Sequence, residues 1–216
     1  MCCQTCGCKA VKNGFSGKTQ RYKCPKCKKR FLQNYRYRAY QNHINHNIIA
    51  LIKEGCGIRS ISRLLRISTT TVLSRIRKIA NKIKQPAIAY HQTFEIDELR
   101  TYIKKKLNPV WVVVAVERTS RQVVSFHVGR RTNRTLSVVI QSLMYAQANQ
   151  IFTDKLRNYQ YIIQPSIHQT QRFGTNHVER QNLNLRTHLK RLNRRTICYS
   201  KSTTILSAIV RIYLWG

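Results

Sequence analysis

The chain has 216 residues, with 40 Lys and Arg against 7 Asp and Glu, a formal net charge of +33. That charge excludes the near-neutral surface of an ordinary small-molecule enzyme, while 42% hydrophobic residues, among them 11 Tyr and 6 Phe, exclude a disordered basic tail. A folded chain of this kind implies a polyanionic partner, and nucleic acid is the obvious one.

Residues 1–38 are expected to form a zinc ribbon. Cys3-x-x-Cys6 and Cys24-x-x-Cys27 are separated by 17 residues. Each C-x-x-C makes a tight knuckle that points two thiolates at one ion, in a segment too short to build a core. Cys2 adjoins Cys3, so the spacing leaves open which of the two is the first ligand. Tyr22, Phe31, Tyr35 and Tyr37 alternate with Lys and Arg, which suits base stacking or phosphate contact and equally suits packing within the ribbon. Six of the eight Cys fall within the first 27 residues, which favours metal over a disulfide framework and hence a reducing cytoplasm. The N-terminus lacks the apolar segment of a signal peptide.

Residues 39–85 switch to a helical period and are expected to form a helix-turn-helix DNA-binding module. Ile44, Ile48, Leu51 and Ile52 make one apolar stripe, stopped at Gly55. Ile58, Ile61, Leu64 and Leu65 belong to a second helix, and Arg66-Ile67-Ser68 reads as a tight turn with Ser68 or Thr69 as N-cap. A third helix runs through Thr71, Val72, Ile76 and Ile79. On this reading Thr69, Thr70, Thr71, Ser74 and Arg75 face the major groove, and Arg77, Lys78 and Lys82 lie near phosphates. A generic three-helix bundle remains the alternative.

Gln85-Pro86-Ala87 is a linker, and residues 86–216 read as one α/β domain. Strands are expected over 93–97, 109–117 and 122–128, a helix over 133–148, a short strand over 151–153 ending at Asp154, a long basic helix over 176–193, and a closing apolar helix to Trp215. The longest apolar run, residues 110–116, is far short of the roughly 20 residues that span a bilayer.

Acids are scarce enough to be informative. Six of the seven lie beyond residue 94, and Asp97 and Asp154 are the only aspartates. Mg²⁺ takes hard oxygen ligands, usually one or two carboxylates with phosphates and waters. If Asp97 and Asp154 end neighbouring strands, they bridge one ion and share a second with Glu179, the arrangement for in-line phosphoryl displacement. At about 100° per residue, Arg186 and Lys190 stand in line with Glu179, while Val178, Leu185, Leu189 and Leu192 seat the helix on the sheet. Glu95 shares a strand face with Asp97 and is within reach of the same ion; Glu98 is expected on the opposite face, directed away. His168 and His177 precede Glu179, either suited to orient a water or phosphate. Cys56 and Cys198 read as packing thiols.

These residues resemble the transposase of the IS1 insertion-sequence family over nearly the whole chain. The most specific stretch is Glu179-Arg180-Gln181-Asn182-Leu183-Asn184-Leu185-Arg186, continuing through Lys190-Arg191-Leu192, Arg194, Thr196-Ile197-Cys198, Ser200 and Ser202; Glu95-Ile96-Asp97-Glu98 and Thr153-Asp154 match the two aspartate motifs. The resemblance implies a ribonuclease H-like catalytic domain with a DDE triad of Asp97, Asp154 and Glu179, Mg²⁺ or Mn²⁺ as cofactor beside Zn²⁺ in the ribbon, and His168 as a catalytic auxiliary. It further implies strand cleavage and strand transfer on double-stranded DNA, both element terminal inverted repeats and target. Arg180, Arg186, Lys190 and Arg191 would lie on the backbone, in a homo-oligomer associated with a prokaryotic nucleoid. Two other readings stand beside it. A tyrosine recombinase is suggested by His188-Leu189-Lys190-Arg191 and Tyr199, but leaves Asp97 and Asp154 idle. A non-catalytic DNA-binding regulator leaves the acids after residue 94 unexplained.

Overall fold

The computed structural model describes residues 1–216 apart from Tyr35, Arg36 and Asn42, so the expected stacking residue Tyr35 lies outside the described residues. Strands β1 (Val11–Ser16), β2 (Thr19–Lys23) and β3 (Arg30–Leu32) form an antiparallel sheet in that order. No residue of these strands is buried, whereas Cys3 and Cys24 are. The centre of this segment is therefore its thiols.

Three helices follow: α1 (Ile44–Lys53), α2 (Ile58–Leu65) and α3 (Thr69–Lys82). Ser68 is the N-cap of α3, its Oγ accepting from the Thr71 backbone N–H at 3.1 Å. Arg66 ends α2 in the left-handed region at φ 52°. Ile44, Ile48, Ile52, Ile61, Val72, Ile76 and Ile79 are buried as the periodicity requires, but Leu64 is 62% exposed. Gly55 follows α1 at φ +71°, and a Cβ there would lie 2.1 Å from the carbonyl oxygen of His188. Conformation and close approach both demand glycine.

The second sheet comprises β4 (Thr93–Tyr102), β5 (Pro109–Glu117), β6 (Val123–Gly129), β7 (Gln150–Phe152) and β8 (His168–Gln169), in the order β6-β5-β4-β7-β8. The first three are antiparallel neighbours; β7 and β8 run parallel to β4. Helix α4 (Asn133–Tyr145) makes the crossover to β7, the short α5 (Arg157–Gln160) precedes β8, and α6 (Asn176–His188) and α7 (Thr203–Trp215) complete the chain. This is the α/β, ribonuclease H-like architecture that the resemblance implied. Strand β4 runs five residues past its expected end at 97, because each residue from Phe94 to Tyr102 pairs with β5.

Side chains alternate across β5, with Val110, Val112, Val114 and Val116 in one core and Val113 and Ala115 in the other. The second core holds Phe94, Ile96 and α4. The first holds Leu99, α6, α7 and the inward residues of α1 to α3. Helix α7 is thus shared, buried against the sheet and against α1 and α3 at once. Arg211 donates to the Ile83 carbonyl at 3.1 Å and Trp215 Nε1 to the Val123 carbonyl at 2.9 Å, tying both neighbours to it.

The helix expected over 176–193 ends at His188. Leu189 is extended at φ −99°, ψ 90°, and residues Lys190–Leu192 form a separate 3-10 turn. Only Arg186 of the expected Glu179–Arg186–Lys190 line stays on the helix with Glu179. Leu189 and Leu192 are still buried, at 2% and 0% exposure. The break follows from Arg191, which is drawn inward: its guanidinium donates to Ser200 Oγ at 3.2 Å and its carbonyl accepts from Thr101 Oγ1 at 3.4 Å.

Candidate active site

The acid site grows from an open strand edge. Strand β7 pairs with β4 only as far as Glu95, opposite Phe152. Beyond that point, among the described residues, the β4 edge has no strand beside it, and the chain leaving β7 carries Asp154 into the space. Carboxylate oxygens of Asp97, Glu98 and Asp154 all lie within 4.8 Å of one another there. Burial pushes the Asp97 carboxyl above its ordinary value, and the charges of Asp154 and Glu179 push the same way; Asn182 Nδ2, donating to Asp97 Oδ2 at 2.8 Å, opposes them.

Glu98 departs from expectation. Its Cα alternates onto the α4 face, opposite Asp97, but its longer side chain brings the carboxylate round the unpaired edge to the other two. Its Oε1 accepts from the Tyr159 hydroxyl at 2.7 Å and its Oε2 from Arg131 at 3.1 Å. Tyr159 is fully buried. Burial raises the Glu98 pKa against these partners.

Glu95 also takes a different place from the one expected. It is fully buried and faces α6 rather than the acids: its carboxylate accepts from the backbone N–H groups of His177 and Val178 at 2.8 and 3.1 Å and from His177 Nδ1 at 2.7 Å. Arg118 Nε is 3.5 Å away, and its guanidinium also lies 4.3 Å from the ring of Phe152. Thr175 at the N-cap offers no capping side chain, so a carboxylate from β4 supplies the acceptor that the positive end of α6 requires.

Glu179, in the first turn of α6, is exposed and accepts from Thr175 Oγ1 at 2.8 Å. It stands close enough to raise the Asp97 pKa but is not among the three converged acids. His168 Nε2 is 2.7 Å from Thr153 Oγ1, next to Asp154, and burial lowers its pKa.

From Glu98 a groove of about 610 Å³ continues along the end of β4, lined by Arg100, Lys106, Arg186, Arg194 and Arg195. None of these five makes an ion pair among the described residues. Arg186 donates to the Leu192 and Arg100 carbonyls at 2.9 and 3.4 Å, and Tyr102 Oη to the Thr196 carbonyl at 2.8 Å, so the segment bearing Arg194 and Arg195 is fastened beside β4. Lys106 and Arg195 carried no signal in the sequence beyond their charge, and Arg194 only its place in the stretch after Glu179 that carries the resemblance. Arg180 and Lys190 are exposed, whereas Arg191 is 8% exposed with its guanidinium turned inward.

On α3, Thr70, Ser74 and Lys78 are exposed. Thr71 Oγ1 is 2.9 Å from the Tyr37 hydroxyl, and Arg75 donates to the Ala39 carbonyl at 2.6 Å. The ribbon and α3 are thus joined through Tyr37 and the segment after it.

The four thiols of Cys3, Cys6, Cys24 and Cys27 converge, with Cys3–Cys27 and Cys6–Cys24 sulfurs 3.5 and 3.4 Å apart. A tetrahedral ion with Zn–S bonds near 2.3 Å separates its sulfurs by about 3.8 Å, so the set fits zinc with little movement. The knuckles share one construction. Cys3 N–H donates to the Cys8 carbonyl at 2.8 Å and Cys24 N–H to the Lys29 carbonyl at 2.9 Å, while Gly7 and Lys28 occupy the left-handed region at the same offset. The backbone N–H of Thr5 holds the Cys3 thiol down at about 6, and that of Cys27 lowers Cys24. Cys2 is exposed and outside the cluster.

Comparison with known proteins gives the family of the chain. Residues 92–215 match the family model of the IS1 transposase. The Insertion element IS1 protein InsB of Shigella flexneri is 32% identical over 120 residues, covering 56% of this chain and 92% of that protein. The Insertion element IS1 4 protein InsB of Escherichia coli (strain K12) is also 32% identical over 120 residues, covering 72% of its length. Among solved structures, a chain of the simian T-cell lymphotropic virus intasome is similar at TM-score 0.41 and 17% identity, over 76% of this chain and 66% of that one. The HTLV-2 integrase catalytic core domain in complex with magnesium is similar at TM-score 0.35 and 18% identity, over 59% of this chain and 86% of that one. The family model spans more than half of the sequence, and on that match the chain belongs to the IS1 transposase family.

Proposed function

We propose that this protein is a DDE transposase that cleaves DNA at element ends and joins the freed 3′-OH to target DNA by metal-dependent phosphoryl transfer, with residues 86–216 as the catalytic domain. The ribbon of residues 1–38 and the helix-turn-helix of residues 39–85 bind the ends. The observation that carries this reading is the convergence of Asp97, Glu98 and Asp154 at the mouth of a groove whose cations make no ion pair among the described residues. Hard carboxylate oxygens in a +33 chain are unusual company unless they serve a cation.

Asp97 and Asp154 hold Mg²⁺ or Mn²⁺, with Glu179 as the third acid and Glu98 as an addition to the set. Such ions, when bound, stabilise charge on the attacking and leaving oxygens of an in-line displacement. Glu95 holds α6 in place and with it Glu179. His168 acts as an auxiliary through Thr153, orienting the turn at Asp154. Arg100, Lys106, Arg186, Arg194 and Arg195 neutralise successive phosphates of the strand entering the acids, and Arg180 and Lys190 lie along the same backbone. Thr70, Thr71, Ser74 and Lys78 meet the element end, with Arg75 ordering α3 against Ala39. Zinc on Cys3, Cys6, Cys24 and Cys27 folds the ribbon.

Cleavage of a labelled element-end duplex, with Mg²⁺ or Mn²⁺ added or left out, tests the mechanism. Asp97→Asn, Asp154→Asn and Glu179→Gln are each expected to reduce cleavage by at least about 10³-fold while a gel shift of the same duplex persists. Full cleavage by Asp154→Asn, or loss of cleavage in Tyr199→Phe with all acid variants active, would transfer the chemistry to a tyrosine nucleophile.

A further inference from the structure

Among the described residues, one buried side-chain polar atom lacks a hydrogen-bond partner: Oδ1 of Asn182. Asn182 is 7% exposed and sits one turn of α6 beyond Glu179. The other end of its amide donates to Asp97 Oδ2 at 2.8 Å. A buried carbonyl oxygen without a donor costs free energy, and each such atom in a native fold asks for a reason.

Turning the amide over gives no relief. Oδ1 would then face a carboxylate oxygen, an acceptor against an acceptor, unless Asp97 carried a proton. An ionised Asp97 therefore dictates the amide's orientation, and the orphan oxygen is the consequence. A buried acceptor without a donor, on the side chain that holds one of three converged carboxylates, has a natural donor in a water of a divalent cation's hydration shell, since Mg²⁺ dehydrates reluctantly and keeps several waters.

We infer that Asn182 is a positioning residue of the cation site: its N–H ties one oxygen of Asp97, and its Oδ1 accepts from the ion's hydration shell. The inference rests on the reading of Asp97 and Asp154 as cation ligands. It extends that reading to a neutral side chain whose removal takes away no charge.

Mn²⁺ binding by the full chain without DNA, followed by calorimetry and by the electron paramagnetic resonance of free Mn²⁺, tests it apart from catalysis. Asn182→Leu, similar in volume, is expected to weaken Mn²⁺ binding at least tenfold without lowering the melting temperature of the metal-free protein. Asn182→Asp keeps the acceptor and loses the donor. It is expected to bind Mn²⁺ at least as tightly as wild type, and to melt at a lower temperature without metal and recover when Mn²⁺ is added. Wild-type affinity in folded Asn182→Leu overturns the inference. If that variant does not fold, Asn182→Asp binding more weakly than wild type overturns it. Equal Mn²⁺ affinity in wild type and Asp97→Asn would sink the underlying reading of the acids, and that result involves no change at Asn182.

Discussion

The Glu95 carboxylate holds His177 twice, accepting from its backbone N–H at 2.8 Å and from its ring Nδ1 at 2.7 Å. Glu95 is two residues from Asp97 on β4, and His177 is two residues from Glu179 on α6. A single buried side chain therefore fixes the strand of the first acid against the helix of the third.

Replacing that acceptor leaves the first-turn N–H groups of α6 buried against an amide. Glu95→Gln is expected to cost about 2–3 kcal/mol of stability, in the range for unpairing a buried hydrogen-bonded charge. Urea unfolding measures this, and no change in midpoint would contradict the anchoring role. Cleavage falls with it, although Glu95 does not face the acids.

Purified protein is expected to contain about one zinc per chain, lost in Cys6→Ser and in Cys27→Ser and retained in Cys2→Ser. The ribbon strands bury no side chain of their own, so their fold depends on the ion. Elemental analysis beside circular dichroism decides it. Zinc-free protein with an intact ribbon would refute the assignment.

The groove cations read phosphate rather than sequence. The double variant Arg194→Ala with Arg195→Ala is expected to weaken binding to all duplexes alike and to reduce the slope of log K against log salt by about two. Arg121→Gln, in the turn at the opposite end of β5, should leave the slope unchanged. Equal effects from both would place the DNA elsewhere.

Burial raises the Asp97 and Glu98 pKa values, so the folded chain binds these protons more tightly than the unfolded one. Stability contributed by them is present below the unfolded carboxylate value, about pH 4, and is lost as pH rises through the raised folded values. Metal-free melting temperatures should fall across that window, less steeply in Asp97→Asn, and Mg²⁺ should offset the fall by favouring the ionised forms. Melts from pH 4 to 8, with and without Mg²⁺, test this; a slope unaffected by Asp97→Asn would contradict it.

The sequence by itself carried whatever depends on local spacing and period. Two C-x-x-C pairs, the apolar stripes of α1 and α3, the Ser68 cap, the Gly55 stop and the apolar run of β5 are each dictated within a few residues, where backbone geometry admits few answers. The two aspartates were legible as a pair because so few acids exist in the chain. Tertiary structure decided what depends on where an element ends and what stands beside it. Strand β7 stops opposite Glu95, and that open edge lets Glu98 join Asp97 and Asp154 despite alternating to the other face. The break at Leu189 takes Lys190 off the helical line and carries Arg194 and Arg195 to the end of β4. In the sequence Glu95 reads as a further acid beside Asp97 and Asn182 as one residue of the stretch after Glu179, and only the docking of α6 on β4 gives one its helix and the other its aspartate. Contacts between residues 82 to 85 positions apart have no local period, so their meaning is fixed by packing alone.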